Sequence, residues 1–330
     1  MTVQGPGSRV QSPGLARRSL GGGGSASGDP CPRSAPWVSR ARVQSRGLET
    51  QAALRIAIVA VTVVGIALTA QAKPARIVSL IPAVTEMLFA IGAGPQVVGV
   101  STFDTFPKEA TTRTKVGGLF DPNFEAILTL RPDLAIVYGS QDELIGRLER
   151  VRVPMFRYRH GGLSDITRTI RELGERTGHA SEANRLADEI DGQIRTVRMR
   201  AGSDARPKTL LVFGREEGSM RGLYVSGGVG FLHDMLEAAG GVNVMADVKR
   251  EGLQLSLEQL LSRAPEVVIE LRASEGWSAE RLAREAATWQ AVRVPAARSG
   301  RVRFLTDDSL TIPGPRVGHA VQTISNAIRQ

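Results

Sequence analysis

Four histidines, one cysteine and one adjacent pair of acids are the residues of this chain most suited to chemistry, and their spacing argues against catalysis. His160, His179, His233 and His319 lie in unrelated segments with no i, i+3 or i+4 pairing, so the pattern of a His/carboxylate metal site is missing. None has a motif around it that would make it the positioned base of a hydrolase. Cys31 is the only cysteine and falls in a Gly/Pro/Ser/Arg-rich leader, which leaves residues 73–330 without a disulfide, a thiolate ligand, a cysteine nucleophile or a lipid-anchor cysteine. Gly227-Gly228-Val229-Gly230 precedes a helical pattern but lacks the strand–G-x-G-x-x-G spacing and the lysine of nucleotide loops, so it reads as a turned corner. Asp307-Asp308, after an apolar strand over 302–305, is the one acid pair placed as a metal-cofactor enzyme of the chelatase kind would need. Capping the next helix or bonding backbone amides is the simpler role for it.

What remains are groups that bind rather than react. Arg215, Arg221 and Arg272 follow strands or loops in the second half, and Arg157 and Arg159 flank Tyr158 in the first. Guanidinium forks suit carboxylate, catecholate or phosphate oxygens, and Tyr138 and Tyr158 are able to stack on or ligate a metal complex.

The elements that must position these groups are set by an internal repeat. The segment 124–137 (FEAILTLRPDLAIV) matches 257–270 (LEQLLSRAPEVVIE), so that Glu125 falls on Glu258 at an offset of 133 residues. Each reads as a short amphipathic helix stopped by Pro and an acid, then a buried strand. The same offset aligns the apolar strand 75–80 with 208–213. Amphipathic helices over 85–91 and 231–239 follow, each ended by Gly. Strand, helix, strand in that order predicts two α/β lobes with parallel sheets. Between them Ala183, Leu186, Ala187, Ile190, Ile194 and Val197 keep helical spacing without an internal Pro, which predicts one rigid connecting helix over 181–200.

The leader accounts for the basic composition. The formal net charge is +9, but residues 1–72 hold eight Arg against two acids, so residues 73–330 carry only +3 and a nucleic-acid partner is not implied. Residues 1–50 have the composition of a disordered segment or of a start codon assigned too early. Arg55, the apolar run 56–68 and Ala70-Gln71-Ala72 make up the three parts of a secretory signal peptide over 51–72, too short in its apolar part to span a bilayer. The expected organisation is a first lobe over 73–178, a connecting helix over 179–203 and a second lobe over 204–330.

Several motifs in order make the chain resemble a known family. They are Arg76-Ile77-Val78-Ser79-Leu80-Ile81-Pro82-Ala83-Val84-Thr85-Glu86, Val98-Gly99-Val100-Ser101, Phe106-Pro107-Lys108-Glu109-Ala110, Val116-Gly117-Gly118 and Arg131-Pro132-Asp133-Leu134. In the second half Phe231-Leu232, Ala239-Gly240-Gly241 and Gly314-Pro315-Arg316 continue the series. Over residues 75–328 the chain resembles the helical-backbone class of periplasmic substrate-binding proteins of ABC importers, which carry cobalamin, ferric siderophores or haem.

The resemblance implies an α/β fold of two Rossmann-like lobes joined by one long helix, with the ligand cleft between them. It implies a periplasmic monomer with no cofactor and no catalysis, partnered by an importer permease and its ATPase, that binds a corrinoid or an iron-siderophore chelate. Ligand-facing positions carried over from it are Ser79, Pro82, Phe103, Leu119, Phe120, Tyr138, Phe213 and Gln254. Arg215, Arg221, Arg272, Asp307 and Asp308 join them from the reading of the residues. Leu119, Gly252 and Ser309 stand where cobalamin-binding members carry further rings, which reduces stacking surface. Permease docking is expected at Asp142 and Glu143 in the first lobe and at Glu237, or Asp234, in the second.

Overall fold

The computed structural model describes residues 73–202, 205–274 and 276–330. The readings made for residues 1–72 lie outside that range. The first half forms a five-stranded sheet from β1 (Ile77–Ser79), β2 (Val97–Val100), β3 (Thr114–Lys115), β4 (Leu134–Tyr138) and β5 (Met155–Tyr158). Its spatial order is β3-β2-β1-β4-β5 and every pairing is parallel. Helices α1 (Pro82–Ala90), α2 (Phe124–Thr129), α3 (Asp142–Arg150) and α4 (Leu163–Thr177) connect and cover it. Helix α1 starts three residues before the sequence pattern indicates, because Pro82 occupies its first turn, where the fixed φ of proline is already helical and its missing N–H costs nothing.

Helix α5 (Ala180–Ala201) is the connecting helix, 22 residues and about 33 Å long. Gly178, at φ 83°, ends α4 in the left-handed region so that α5 can fold back along it. Beyond α5 come β6 (Lys208–Gly214), β7 (Tyr224–Ser226), α6 (Phe231–Ala238), β8 (Val242–Asn243), β9 (Gly252–Gln254), α7 (Leu257–Arg263) and β10 (Val267–Arg272). The chain closes with α8 (Ala279–Gln290), α9 (Pro295–Arg298), β11 (Val302–Thr306) and α10 (Val317–Arg329).

The second sheet runs β11-β10-β6-β7-β9, with β8 also on β6. It is mixed, where a purely parallel sheet was expected. β7 runs antiparallel to β6 and β9 antiparallel to β7. The polar loop after Gly214 carries Gly218 and Gly222 at φ 67° and 59°, which lets the chain turn back at once instead of crossing over through a helix.

The repeat holds in detail. Asn123 and Ser256 cap α2 and α7 by accepting from the amides of Ala126 and Gln259, and Arg131 and Ala264 both sit at φ 46° after those helices. Asp133 accepts from the amides of Ala75 and Arg76, as Glu266 does from that of Lys208. The opening strands differ by one residue. Ile77 pairs with Leu134, whereas Leu210 pairs with Val268 rather than with Val267. Leu210 therefore faces the outer core with Val212 and Trp289, although Ile77 faces the inner one. Leu210-Leu211-Val212-Phe213 is apolar at every position and both faces of the sheet are covered, so nothing in the strand itself marks which way it faces.

The inner core is continuous across both sheets. It joins Val84, Met87 and Leu88 of α1, Ile166 and Ile170 of α4, Ile190 and Ile194 of α5, Met235 and Leu236 of α6, and Val321 and Ile324 of α10. Burying these side chains, at roughly 1.5–3 kcal/mol for each large one, ties the two halves together. Among the described residues no helix is long and apolar enough to cross a membrane.

Candidate functional site

Loops at the carboxyl ends of parallel strands are the usual ligand site of an open α/β sheet. In the first half these loops expose rings. Phe103, after β2, is 67% exposed and Phe120, after β3, is 95% exposed. Phe103 lies across Gly118, where a Cβ would come within 2.6 Å of the ring, so the glycine is what lets the ring lie flat on the loop. Leu119 offers its carbonyl to Gln141 Nε2 at 2.8 Å, and Gln141 Oε1 accepts from the Tyr138 amide, which locks the loops after β3 and β4 to each other. Together Leu119, Phe120, Gln141, Asp142 and Arg147 line a depression of about 570 Å³.

Where the two halves meet, Tyr138 packs edge-on against Tyr158 with centroids 5.7 Å apart. Burial raises the Tyr138 hydroxyl above its ordinary pKa, and the charge of Glu251 adds to that, although a hydrogen bond to the His160 backbone opposes it. Burial also lowers the pKa of His160, against the pull of Glu251 and Asp165, which favours its uncharged form. Its ring stands edge-on to Phe231 at 5.1 Å. His160, Phe213, Phe231 and Glu251 line a narrow crevice of about 220 Å³. A larger hollow of about 790 Å³ lies at the opposite, amino ends of the second sheet, lined by Ala201, Pro207, Glu266 and Arg301, away from every residue expected at the cleft.

The second-half arginines need correction. Arg215 has a fully buried side chain and is not a free fork for a ligand. It pairs with Glu270 at 3.1 Å and with Glu285, and donates to the carbonyls of Glu216 and Ser219. Arg272 pairs with Glu270 and Glu285 from the other side, only 11% exposed. Trp289 Nε1 donates to Glu270 at 2.6 Å, and Glu285 accepts from the Gly218 amide at 2.8 Å. Charge balances within this quartet, as burial demands. Its effect is to hold the loops after β6 and β10 in place. Arg221 remains exposed at the rim, as does Gln254 at the end of β9.

Three further expectations change. Ser79 is fully buried, and its hydroxyl accepts from Thr85 Oγ1 at 2.8 Å beneath α1, so it does not face a ligand, whereas Pro82 is partly exposed at the start of α1. Asp307 accepts from the Ser309 amide, and Asp308 accepts from the Ser274 amide at 2.9 Å. Both therefore serve the backbone, Asp307 within the loop after β11 and Asp308 by tying that loop to the one after β10. Burial opposes the charge of Asp307, but the bonds from Ser309 and the nearby His319 and Arg316 hold its pKa below the ordinary value. Glu237 is engaged by Arg206 and by the Asn243 amide, and Asp234 accepts from the Leu163 amide at 3.0 Å, so neither is a free docking acid. Asp142 and Glu143 are exposed in the first turn of α3. The glycine corner is fully used: the Gly227 and Gly228 amides bond the carbonyls of Glu251 and Val248.

Sequence reasoning missed Asp104, Glu251 and the pairing of Glu86 with Arg316. An acid amid the apolar residues of α1 was the available signal for Glu86, since a carboxylate is almost never fully buried without a partner.

A substrate-binding architecture is what these features define: two α/β halves on a shared core, with exposed rings at the strand ends and the polar groups occupied in shaping loops. The model of the periplasmic binding protein family matches residues 77–309, and the chain belongs to that family. The vitamin B12-binding protein of Pectobacterium atrosepticum is 28% identical over 269 residues, covering 79% of this chain and 91% of that protein. The vitamin B12-binding protein of Yersinia pestis is 28% identical over 196 residues, covering 59% and 68% respectively. Among solved structures, the periplasmic vitamin B12-binding protein BtuF of Vibrio cholerae superposes with a TM-score of 0.66 at 24% identity, covering 78% of this chain and 97% of that one. The apo periplasmic heme-binding protein RhuT of Roseiflexus superposes at 0.63 with 26% identity, covering 77% and 97%. Members of this family are binding proteins, and this chain is one rather than an enzyme.

Proposed function

We propose that residues 73–330 act in the periplasm as the monomeric solute-binding component of an ABC importer, capturing a metal chelate in the crevice and handing it to the permease and its ATPase. The cargo favoured is a flat metal macrocycle, a corrinoid before haem. Exposure of Phe103 and Phe120 on the strand-end loops carries this reading, because large rings left in water at the expected ligand position offer faces for stacking. The vitamin B12-binding relatives support the corrinoid. A signal segment over 51–72 would deliver the chain, and Asp142 and Glu143 would meet the permease. Since ring surface is missing at Leu119, Gly252 and Ser309, a ferric siderophore is the other cargo to test.

Calorimetric titration with cyanocobalamin, haemin, a ferric catecholate and a ferric hydroxamate, followed by mass spectrometry of the recovered ligand, tests the reading. Saturable one-to-one binding of intact cyanocobalamin or haemin is expected. Binding of a ferric siderophore alone would move the cargo, and binding of none would overturn the reading.

A further inference from the structure

The two motifs at opposite ends of the chain meet. Arg316 donates from Nε and Nη2 to the two oxygens of Glu86, at 2.9 and 2.6 Å, across 230 residues of sequence. Glu86 projects from α1 with its side chain only 2% exposed, and burial raises its pKa against the hydrogen bonds and charge of Arg316. The outer face of the same guanidinium lies over the Phe106 ring, 4.2 Å from the centroid. Phe106 closes the loop after β2 that carries Phe103. Gly314 brings the second-half backbone close: a Cβ there would stand 3.3 Å from Glu86 Oε2 and 3.7 Å from the Ala83 carbonyl. Pro315 then fixes the backbone direction from which Arg316 reaches out at the start of α10.

We propose that Glu86, Arg316 and Phe106 form an ionic clasp that fixes the separation of the two halves at the mouth of the crevice, with Arg316 as a positioning residue for ligand capture. Two parallel N–H···O bonds define orientation as well as distance, which a lysine at the same place could not do. The clasp joins α1 to the start of α10 at the strand-end margin of the shared core, so it braces the two halves where the crevice begins. Breaking it frees Phe106 and, through the same loop, Phe103. The clasp itself does not depend on the cargo; only its consequence for ligand release rests on the binding reading above.

The test is a distance measurement that needs no ligand. In the full chain with Cys31→Ser, spin labels at Thr112→Cys and Ser262→Cys, both exposed and one in each half, report the interlobe distance by pulsed EPR. A single narrow distribution is expected for this background. Glu86→Gln and Arg316→Gln should each broaden it toward longer distances, and the double variant should broaden it no further than either alone. Arg316→Lys should fail to restore the narrow distribution. Unchanged distributions in folded Glu86→Gln and Arg316→Gln proteins, or additive effects in the double variant, overturn the clasp. If Arg316→Gln does not fold, Glu86→Gln alone decides, since it keeps the shape of the side chain. Should cyanocobalamin bind, its release is expected to accelerate several-fold in the same variants; failure to bind any chelate would overturn the cargo and leave the distance result standing.

Discussion

The two halves share one plan of opening strands and Pro-acid strand starts and place their Arg–carboxylate pairs differently. In the first half the exposed ion pairs are peripheral, such as Arg157 with Glu149, and the strand-end loops present bare rings. In the second half four charges are folded inward beneath the rim, and β7 turns back to make a mixed sheet. One wall is thus a contact surface and the other an internally braced frame. The clasp between Glu86 and Arg316 registers them.

The sharpest way to break this contrast is to remove one buried charge. Glu270→Gln leaves Arg215 and Arg272 short of a partner and should cost about 3–5 kcal/mol in urea unfolding. The matching change in the first half, Glu149→Gln at an exposed pair, should cost less than about 1 kcal/mol.

Asp104 gives the first half its own pH signature. It is 2% exposed beneath α1, and burial lifts its pKa to about 6, with Thr85, the Ser101 backbone and Lys115 pulling down and Glu86 pushing up. Arg316 faces the same cluster through Glu86. A raised carboxyl pKa means the folded state holds the proton longer than the unfolded one. Its contribution is therefore full below the unfolded value near 3.8 and is lost as pH rises through 6, about 3 kcal/mol in all. Asp104→Asn should flatten the dependence of stability on pH between about 4 and 6, measured by urea midpoints; an unchanged slope would assign it to other groups.

Phe120→Ala should leave the unfolding midpoint within about 0.5 kcal/mol and weaken chelate binding by about 1 kcal/mol, roughly fivefold. Phe231→Ala, in the inner core, should instead cost about 3–5 kcal/mol of stability. The smallest effect belongs to the rim: Asp142→Ala with Glu143→Ala should slow association with the importer and reduce its salt dependence, with little change in dissociation.

How much of this could be read from the residues follows from where each signal resides. The repeat gave the opening strands and the Pro-acid strand starts, and spacing gave the connecting helix and the Gly helix ends, because such signals are local. The facing of β6 was not legible, since an all-apolar strand covered on both sides carries no mark of its face. The fates of Arg215, Arg272, Asp234 and Glu237 were hidden for a different reason: apart from Glu270 beside Arg272, their partners (Glu270 and Glu285, the Leu163 amide and Arg206) lie 13 or more residues away and are brought up only by the fold. Glu86 and Gly314-Pro315-Arg316 were each visible as motifs, but only the fold shows that they belong to each other.

Hydrogen exchange with and without saturating chelate tests the central claim most directly, with cyanocobalamin, haemin and a ferric catecholate added in turn. The account predicts protection in loops 101–106, 117–121 and 138–141 and, across the crevice, in 213–224. Protection confined to the hollow around Ala201 and Pro207, or none with any of the three, would contradict it.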